Sequence, residues 1–211
     1  MDYDSVPLRD FKELNDWETV IFVYQSALKQ VETKIDILNG EFQHRHKYNP
    51  IEHVKSRIKT PESIVKKLKK DGYESNIPNM IRYVNDIAGI RVVCFFCDDI
   101  YRVADYIKKQ KDIKLLKEKD YVKNPKKSGY QSIHLIVGVP VTYLEKTTEV
   151  RVEIQIRSFA MDYWAELDNQ MCYKKNAGQI ENVEQATKNY SDVIAKVDNQ
   201  MLELRRQIEK M

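Results

Sequence analysis

The sequence has no long apolar run and few cysteines. No stretch approaches the roughly 20 consecutive apolar residues that span a bilayer, and the first residues are too polar for a secretory signal. Three cysteines are an odd number, which argues against a disulfide framework and fits a reducing compartment. Cys94 and Cys97 form a C-x-x-C pair on a predicted strand, and we interpret both as buried. We therefore expect a cytoplasmic protein with no membrane partner.

The chain also lacks a large excess of charge of either sign. It has 35 lysines and arginines against 32 acidic residues, a formal net charge of +3, so no whole-molecule field favours nucleic acid. RNA binding is left open, but no feature of the sequence indicates it. With 211 residues, 42% of them apolar, the chain suits one domain with a helical extension.

Two long segments carry apolar residues at helical spacing. From Asp10 to Asn39 the apolar positions alternate in steps of three and four, which predicts one long helix that Asn39-Gly40 ends and a polar loop over Glu41–Pro50. Asn182–Lys210 predicts a final helix with near-heptad spacing. The strict seam of the first helix fits packing against the chain's own core and packing against another subunit equally well.

The segment between these helices predicts alternating strands and helices. Thr60 can cap a helix that runs to about Gly72, with Pro61 in its first turn. The other predicted elements are the strands Ile87–Phe96, Ile113–Leu116, Gln131–Pro140 and Glu149–Arg157, and helices that begin at Asp98–Asp99 and at Ser158. The fold class is therefore α/β (α+β), a mixed β-sheet flanked by helices. We divide the chain into an N-terminal helix and loop (1–48), a core (49–176) and a C-terminal helix (177–211), and both terminal parts are candidate oligomer contacts.

The strand Glu149–Arg157 carries the most chemical information. Its valines and isoleucines alternate with Arg151, Glu153, Gln155 and Arg157, so one face is core and the other is polar. That polar face fits a solvated surface or the floor of a cleft that binds a charged ligand. Asp86 precedes another strand and could converge on Glu153, and two such carboxylates are a common way to hold Mg²⁺ beside phosphate oxygens.

Two basic segments are candidates for phosphate binding. Lys55, Arg57, Lys59, Lys66 and Lys67 fall on a predicted loop and helix start, where clustered cations could hold several phosphates. The second segment is a basic turn in which Gly129 permits close backbone approach and Tyr130 offers a ring for stacking. Ser132 and His134 follow Tyr130 on the same predicted strand face.

Five segments of the chain, in order, resemble the synthetase domain of the RelA/SpoT family. They are His53–Lys59 with Ser63, Asp86–Val92, Gly129–His134, Val152–Ser158, and Met161–Ala165 followed by Tyr173-Lys174. The resemblance covers roughly Ile51–Lys175 and implies a nucleotidyltransferase-like mixed sheet. It also implies an activity, which is transfer of the β,γ-pyrophosphate of ATP to the ribose 3′-OH of GDP or GTP, with Mg²⁺ as cofactor.

The resemblance assigns roles to individual residues. Asp86 would hold Mg²⁺, Glu153 would help hold it or act as base, and Gln155 would sit beside Glu153. On the ATP side, Arg57 and Arg91 would enclose the adenine. The remaining implied contacts are Lys59, Ser63 and Lys67 to the donor phosphates, Tyr130 to guanine, and Lys126 and His134 to acceptor phosphates, with Ser132 in the same pocket.

The same resemblance sets the expected type of family member. No His-Asp dipeptide occurs, so we expect a synthetase-only chain without the family's hydrolase domain. Such chains often assemble as tetramers, and the two long helices are the natural contacts. Asn169 stands where many relatives have histidine. Two alternatives remain at this point, a toxin-like relative that pyrophosphorylates the 3′ end of tRNA and an inactive nucleotide-sensing module.

Overall fold

A computed structural model describes residues 17–46, 48–173 and 183–211 of the chain. Its helices are α1 (Trp17–His46), α2 (Pro61–Lys70), α3 (Ile77–Tyr83), α4 (Cys97–Lys108), α5 (Phe159–Tyr173) and α6 (Val183–Ile208). Its strands are β1 (Ile51–Ile58), β2 (Ala88–Cys94), β3 (Lys114–Asp120), β4 (Ile133–Tyr143) and β5 (Lys146–Ser158). No helix in these described ranges is long and apolar enough to cross a membrane.

The strands form one five-stranded sheet in the order β1-β2-β5-β4-β3. Strands β2 and β5 run parallel, and the other neighbouring pairs are antiparallel, which confirms the predicted mixed sheet. In β5 the valines and isoleucines from Val150 to Ile156 are fully buried on one face. The opposite face carries Glu153 and Gln155, and the register places Glu153 beside Gly89 of β2.

Helix α1 uses its apolar seam to cover the chain's own sheet. Tyr24, Val31, Ile35 and Leu38 on this seam are at most 1% exposed and belong to the main hydrophobic core. The structure therefore decides between the two interpretations of the seam in favour of the chain's own core. The predicted helix start at Asp10 lies outside the described residues.

Some of the predicted elements were wrong. Helix α1 continues through Asn39-Gly40 to His46 where a loop was predicted, because Phe42 in its last turns packs on the core beside Tyr106. That contact offsets a helical glycine, which costs about 1 kcal/mol. Residues 51–58 form strand β1 where a loop and helix start were predicted, and α3 was missed.

Strand β4 continues past Pro140, which was predicted to close it. The pairing of β3 with β4 ends at Lys114 and Gly138, so β4 has no neighbouring strand on that side at Pro140. The absence of an N–H group in Pro140 therefore removes no hydrogen bond between these strands. The β4–β5 hairpin then turns through Leu144 and Glu145, which have φ angles of 45° and 65°. Residues other than glycine rarely adopt positive φ angles, so the backbone of this turn is strained.

Candidate nucleotide site

A cleft of about 180 Å³ lies over the polar face of strands β1, β2 and β5. Its lining includes six of the residues singled out from the sequence, which are Lys55, Arg57, Asp86, Arg91, Glu153 and Gln155. Gly89 lies in the floor between them, and the space where its Cβ would project is open. The polar face of β5 is therefore the floor of a cleft, as one of the two sequence interpretations required.

Asp86 lies in the turn between α3 and β2, beside two lysines. Lys59 Nζ and Lys67 Nζ each lie 2.7 Å from one of its carboxylate oxygens. Burial alone would raise the pKa of Asp86, but hydrogen bonds and charge from these two lysines outweigh burial and hold the pKa below its usual value. The turn itself is held by Arg151, which donates to Asn85 Oδ1 (2.6 Å) and to the carbonyl of Arg82 (3.0 Å).

Glu153 accepts hydrogen bonds from both sides. Gln155 Nε2 lies 2.7 Å from Glu153 Oε2, and His134 Nδ1 lies 3.2 Å from Oε1. Burial raises the pKa of Glu153 and the negative charge of Asp86 adds to this, but the contacts with His134 and Gln155 outweigh both and lower it. Each carboxylate oxygen keeps a second lone pair directed away from these donors.

The two carboxylates fit a divalent cation that is shared with a phosphate ligand. Asp86 and Glu153 line the same cavity, as expected from the sequence. Within residues 17–46, 48–173 and 183–211, no group of three or more His, Cys, Asp or Glu side chains could enclose a metal ion alone. Mg²⁺ is usually held by one or two carboxylates together with substrate phosphates, so a pair of carboxylates suffices.

Two arginines lie on the β1 and β2 side of the cleft. Arg57 pairs with Gly89 and Arg91 pairs with Lys55, so the two arginines are diagonal neighbours across the strand pair. Such positions are about 7–8 Å apart, which leaves room for a flat ring between two guanidinium planes. Arg91 is also held from behind by Glu166 of α5.

An aromatic group lies next to Glu153, on the β4 side. Tyr130 Oη lies 2.8 Å from His134 Nε2, and the two rings meet edge to face. Lys126 Nζ lies 4.7 Å from the centre of the Tyr130 ring and 4.8 Å from that of Tyr121. Tyr121 was missed in the sequence, because one tyrosine after a charged edge strand carries no motif.

Three further residues that the sequence suggested for ligand binding lie outside the lining of the cleft. Ser132 is fully buried and donates to the carbonyl of Ile156 (3.0 Å), so it lies beneath the cleft and its burial does not support contact with a ligand. Ser63 is exposed in the first turn of α2, where Thr60 caps the helix as predicted. Gly129 has φ = +90° and approaches α6, where Ser191 Oγ donates to its carbonyl (2.6 Å), so its close approach serves packing.

Arg157 was assigned no role from the sequence. Its side chain is 2% exposed, and it contacts Asp162, Tyr130 and Gln155. Alternation along β5 placed it on the polar face, but helix α5 covers that end of the strand. A period-two pattern cannot reveal which part of a polar face a later helix will bury.

The site defines a class of protein before any comparison. Two carboxylates in one cleft, surrounded by lysines and arginines, form a site for an anionic ligand and have the groups that metal-dependent phosphoryl transfer requires. We expect such a protein to bind phosphorylated nucleotides.

Comparison with known proteins identifies the family. A family profile described as "Region found in RelA / SpoT proteins" matches residues 56–178, which is more than half of the chain. The GTP pyrophosphokinase YwaC of Bacillus subtilis is 38% identical over 210 residues, covering 99% of this chain and 100% of that protein. This chain therefore belongs to the RelA/SpoT family.

Solved structures agree with this assignment. The small alarmone synthetase 1 of Bacillus subtilis bound to its product pppGpp superposes with a TM-score of 0.83 at 31% identity, covering 91% of this chain and 97% of that one. The same enzyme bound to AMPCPP gives a TM-score of 0.76 at 27% identity, covering 92% and 98%. The predicted nucleotidyltransferase-like mixed sheet is thus confirmed as the fold of small alarmone synthetases.

Proposed function

We propose that this protein transfers the β,γ-pyrophosphate of ATP to the ribose 3′-OH of GDP or GTP, which releases AMP and yields (p)ppGpp. The observation that carries the proposal is the cleft in which Asp86 and Glu153 share one cavity with Arg57 and Arg91. The chain is accordingly a GTP pyrophosphokinase of the RelA/SpoT family, like relatives of similar length. The product and ATP analogue bound to the Bacillus subtilis enzyme support these substrates.

On the donor side, Arg57 and Arg91 enclose the adenine, and Lys59, Ser63 and Lys67 bind the phosphates of ATP. The diagonal spacing of the arginines and the meeting of both lysines at Asp86 support this arrangement. Because phosphate oxygens are strong acceptors, they compete with Asp86 for the two ammonium groups. Binding of ATP therefore frees lone pairs on the carboxylate.

Mg²⁺ is the cofactor in this proposal, with Asp86 as its principal protein ligand and Glu153 as the second. The two carboxylates on one cavity and their depressed pKa values support the assignment, since both remain ionised near neutral pH. When bound, Mg²⁺ neutralises charge on the transferring pyrophosphoryl group.

On the acceptor side, Tyr130 stacks on guanine while Lys126 and His134 contact the acceptor phosphates. Glu153 takes the proton of the 3′-OH as that oxygen forms a bond to the β-phosphorus of ATP, and the bond from the β-phosphorus to the α-phosphate oxygen breaks. The position of Glu153 between the arginine side of the cleft and the Tyr130 group supports this role.

Nucleotide chromatography tests the function directly. Purified protein is incubated with labelled ATP, Mg²⁺ and, in separate reactions, GDP, GTP, GMP or tRNA. We expect AMP and a guanosine product that carries the label, and release of AMP that depends on the acceptor. Label that transfers to tRNA alone would favour the toxin-like activity, for which no relative gives support. No AMP release with any acceptor would contradict the proposal and leave a nucleotide-sensing module.

A homo-oligomer, with a tetramer favoured, is the proposed assembly. Helix α6 supports it with a stripe of apolar side chains spaced three or four residues apart and 48–65% exposed, comprising Tyr190, Val193, Val197, Met201, Leu204 and Ile208. Burial of such a stripe against a second copy would remove it from water. A cytoplasmic location, where ATP and guanine nucleotides are present, is also part of the proposal.

Light scattering tests the assembly. We expect a mass well above the 25.0 kDa of one chain. Charging the stripe with Val197→Glu and Met201→Glu should dissociate the assembly, while Lys196→Glu with Gln200→Glu on the polar flank should not. A monodisperse wild-type monomer at micromolar concentration would contradict the proposal.

A further inference from the structure

A closed ring of hydrogen bonds extends from the floor of the cleft and connects Arg157 to Glu153 by two routes. On one route, Arg157 Nη2 lies 2.9 Å from Gln155 Oε1, and Gln155 Nε2 lies 2.7 Å from Glu153 Oε2. On the other route, Arg157 Nη2 lies 3.0 Å from Tyr130 Oη, and Tyr130 Oη lies 2.8 Å from His134 Nε2. The last contact of this route joins His134 Nδ1 to Glu153 Oε1 at 3.2 Å. Arg157 and Glu153 do not touch each other in this ring.

The chemistry of Arg157 fixes the direction of the hydrogen bonds on the first route. A guanidinium group only donates, so the atom of Gln155 that faces it must be the amide oxygen. The amino group of Gln155 then faces Glu153 and donates to Oε2. Without Arg157, the amide could rotate and present its oxygen to the carboxylate.

Arg157 also influences the direction of the hydrogen bonds on the second route. Because the Tyr130 hydroxyl accepts from Arg157, we infer that it donates its single proton to His134 Nε2, which lies 2.8 Å away. A neutral imidazole that accepts at Nε2 carries its proton on Nδ1, and Nδ1 faces Glu153 Oε1. Both routes therefore begin at one donor-only group and end in a donor to the carboxylate.

Burial makes this order difficult to replace with water. The side chain of Arg157 is 2% exposed, that of His134 is 12% exposed and that of Glu153 is 15% exposed. Asp162 Oδ1 lies 3.3 Å from Arg157 Nη1 and compensates for the buried charge. Water has little access to rearrange the donors, so the guanidinium sets them.

We propose that Arg157 is a positioning residue for Glu153. Arg157 orders the ring so that two hydrogen bonds are donated to the Glu153 carboxylate. One lone pair on each carboxylate oxygen then stays free. The free lone pairs are those needed for the 3′-OH and the metal ion, and in this respect the inference rests on the proposed role of Glu153. The ring also includes Tyr130, so the residue that stacks on guanine and the base that receives the 3′-OH proton share one support.

Arg157→Lys tests the proposal, because lysine keeps a positive charge, but its single nitrogen cannot occupy both the Nη1 position beside Asp162 and the Nη2 position beside Gln155 and Tyr130. We expect kcat for pyrophosphate transfer to fall at least about tenfold, while KM for ATP and for GDP each change less than about threefold. In a Glu153→Gln background the same substitution should cause little further loss, because both changes remove the same ordered carboxylate.

Arg205→Lys is the matched control. Arg205 also donates to a tyrosine hydroxyl, that of Tyr48 (2.9 Å), and lies 3.2 Å from a buried carboxylate, that of Asp99, but away from the cleft. Its substitution should lower the melting temperature as much as Arg157→Lys does and leave kcat and both KM values unchanged. This comparison separates loss of packing from loss of positioning.

The histidine tautomer is a second readout that stability alone does not change. The chain has four histidines, so ¹⁵N spectra can be assigned by substitution. We expect His134 to carry its proton on Nδ1 in the wild type and to lose this preference in Arg157→Lys. If Arg157→Lys does not fold, Tyr130→Phe breaks the second route alone, and it should lower kcat severalfold without raising KM for GDP.

Several outcomes would overturn the inference while leaving the function intact. They are a folded Arg157→Lys with unchanged kcat, an equal loss of kcat in the wild-type and Glu153→Gln backgrounds, and a wild-type His134 with its proton on Nε2. If Arg157→Lys is unfolded, unchanged kcat in Tyr130→Phe has the same meaning. Failure of the wild type to produce labelled product would instead contradict the proposed function.

Discussion

Removing the charge of either cleft carboxylate should abolish most of the activity without unfolding the protein. Asp86→Asn and Glu153→Gln keep the size and shape of each side chain and remove one negative charge. We expect kcat to fall at least about a hundredfold, which corresponds to about 3 kcal/mol of transition-state stabilisation. Acceptor-dependent release of AMP from ATP, measured by nucleotide chromatography, gives kcat and both KM values.

The contacts of each residue indicate how the loss arises. In Asp86→Asn the amide presents one oxygen and one amino group to two lysines that now lie 2.7 Å from carboxylate oxygens, so one ammonium faces another donor. In Glu153→Gln the new amino group must face either Gln155 Nε2 or His134 Nδ1, and one of those hydrogen bonds is lost. Each variant also loses a negative charge that would hold the proposed metal ion.

The same contacts limit the expected loss of stability. The Asp86 and Lys59 side chains are 16% and 15% exposed and Lys67 is 36% exposed, so solvent screens part of the interaction. We expect a loss on the order of 1 kcal/mol, or about 2–4 °C in melting temperature for a chain of this size. Asp112→Asn, which breaks the surface ion pair with Lys34, is the control and should leave kcat unchanged.

Near-normal turnover in either cleft variant, with a folded protein, would refute the assignment of that carboxylate. A large fall in melting temperature together with loss of activity would instead indicate a structural role. Both kcat and thermal unfolding are therefore measured on the same preparations.

The remaining predictions concern the two base pockets and two turns. Stacking on an aromatic ring contributes about 1–3 kcal/mol per base, so Tyr130→Ala should raise KM for GDP by roughly five- to a hundredfold and KM for ATP much less. Arg57→Ala should raise KM for ATP more than KM for GDP. Equal effects on both substrates would count against the assignment of the two base pockets. Gly129→Ala should destabilise the fold by about 2–4 kcal/mol in chemical denaturation, because its Cβ would lie 2.5 Å from a side-chain carbon of α6 at a positive φ; an unchanged midpoint would refute the close approach. Replacing the hairpin turn by Leu144→Asn with Glu145→Gly should raise stability by about 1–2 kcal/mol, since Asn-Gly favours positive φ at both positions; a lower melting temperature would contradict the strain.

Much of the fold could be predicted where one structural signal acts alone. Strand β5 was predicted because its apolar residues alternate without interruption and all of them face the core. The start of α2 was predicted because Thr60 and Pro61 have local roles that tertiary contacts do not change. Local chemistry and the final packing agree in both elements.

Prediction failed where function or packing overrides the local pattern. Strand β1 has Lys55 and Arg57 on its cleft-facing side, so its polar residues suggested a loop although they line a site. At Gly40 the glycine suggested a helix end, but the burial of Phe42 decides otherwise. The same limit applies to Arg157, whose burial depends on α5.

The pairing of Asp86 with two lysines explains how a cleft with so many cations can form before any nucleotide binds. An isolated carboxylate at this depth would be protonated more easily, and two unpaired ammonium groups close together would repel each other. Held together, the three groups neutralise much of one another's charge and remain in place. In the proposed function, phosphate oxygens replace the carboxylate as partners of Lys59 and Lys67, and Asp86 becomes available to the proposed metal ion. The arrangement therefore stabilises the empty cleft, and the charged side chains that the proposed substrate requires are already in place before it binds.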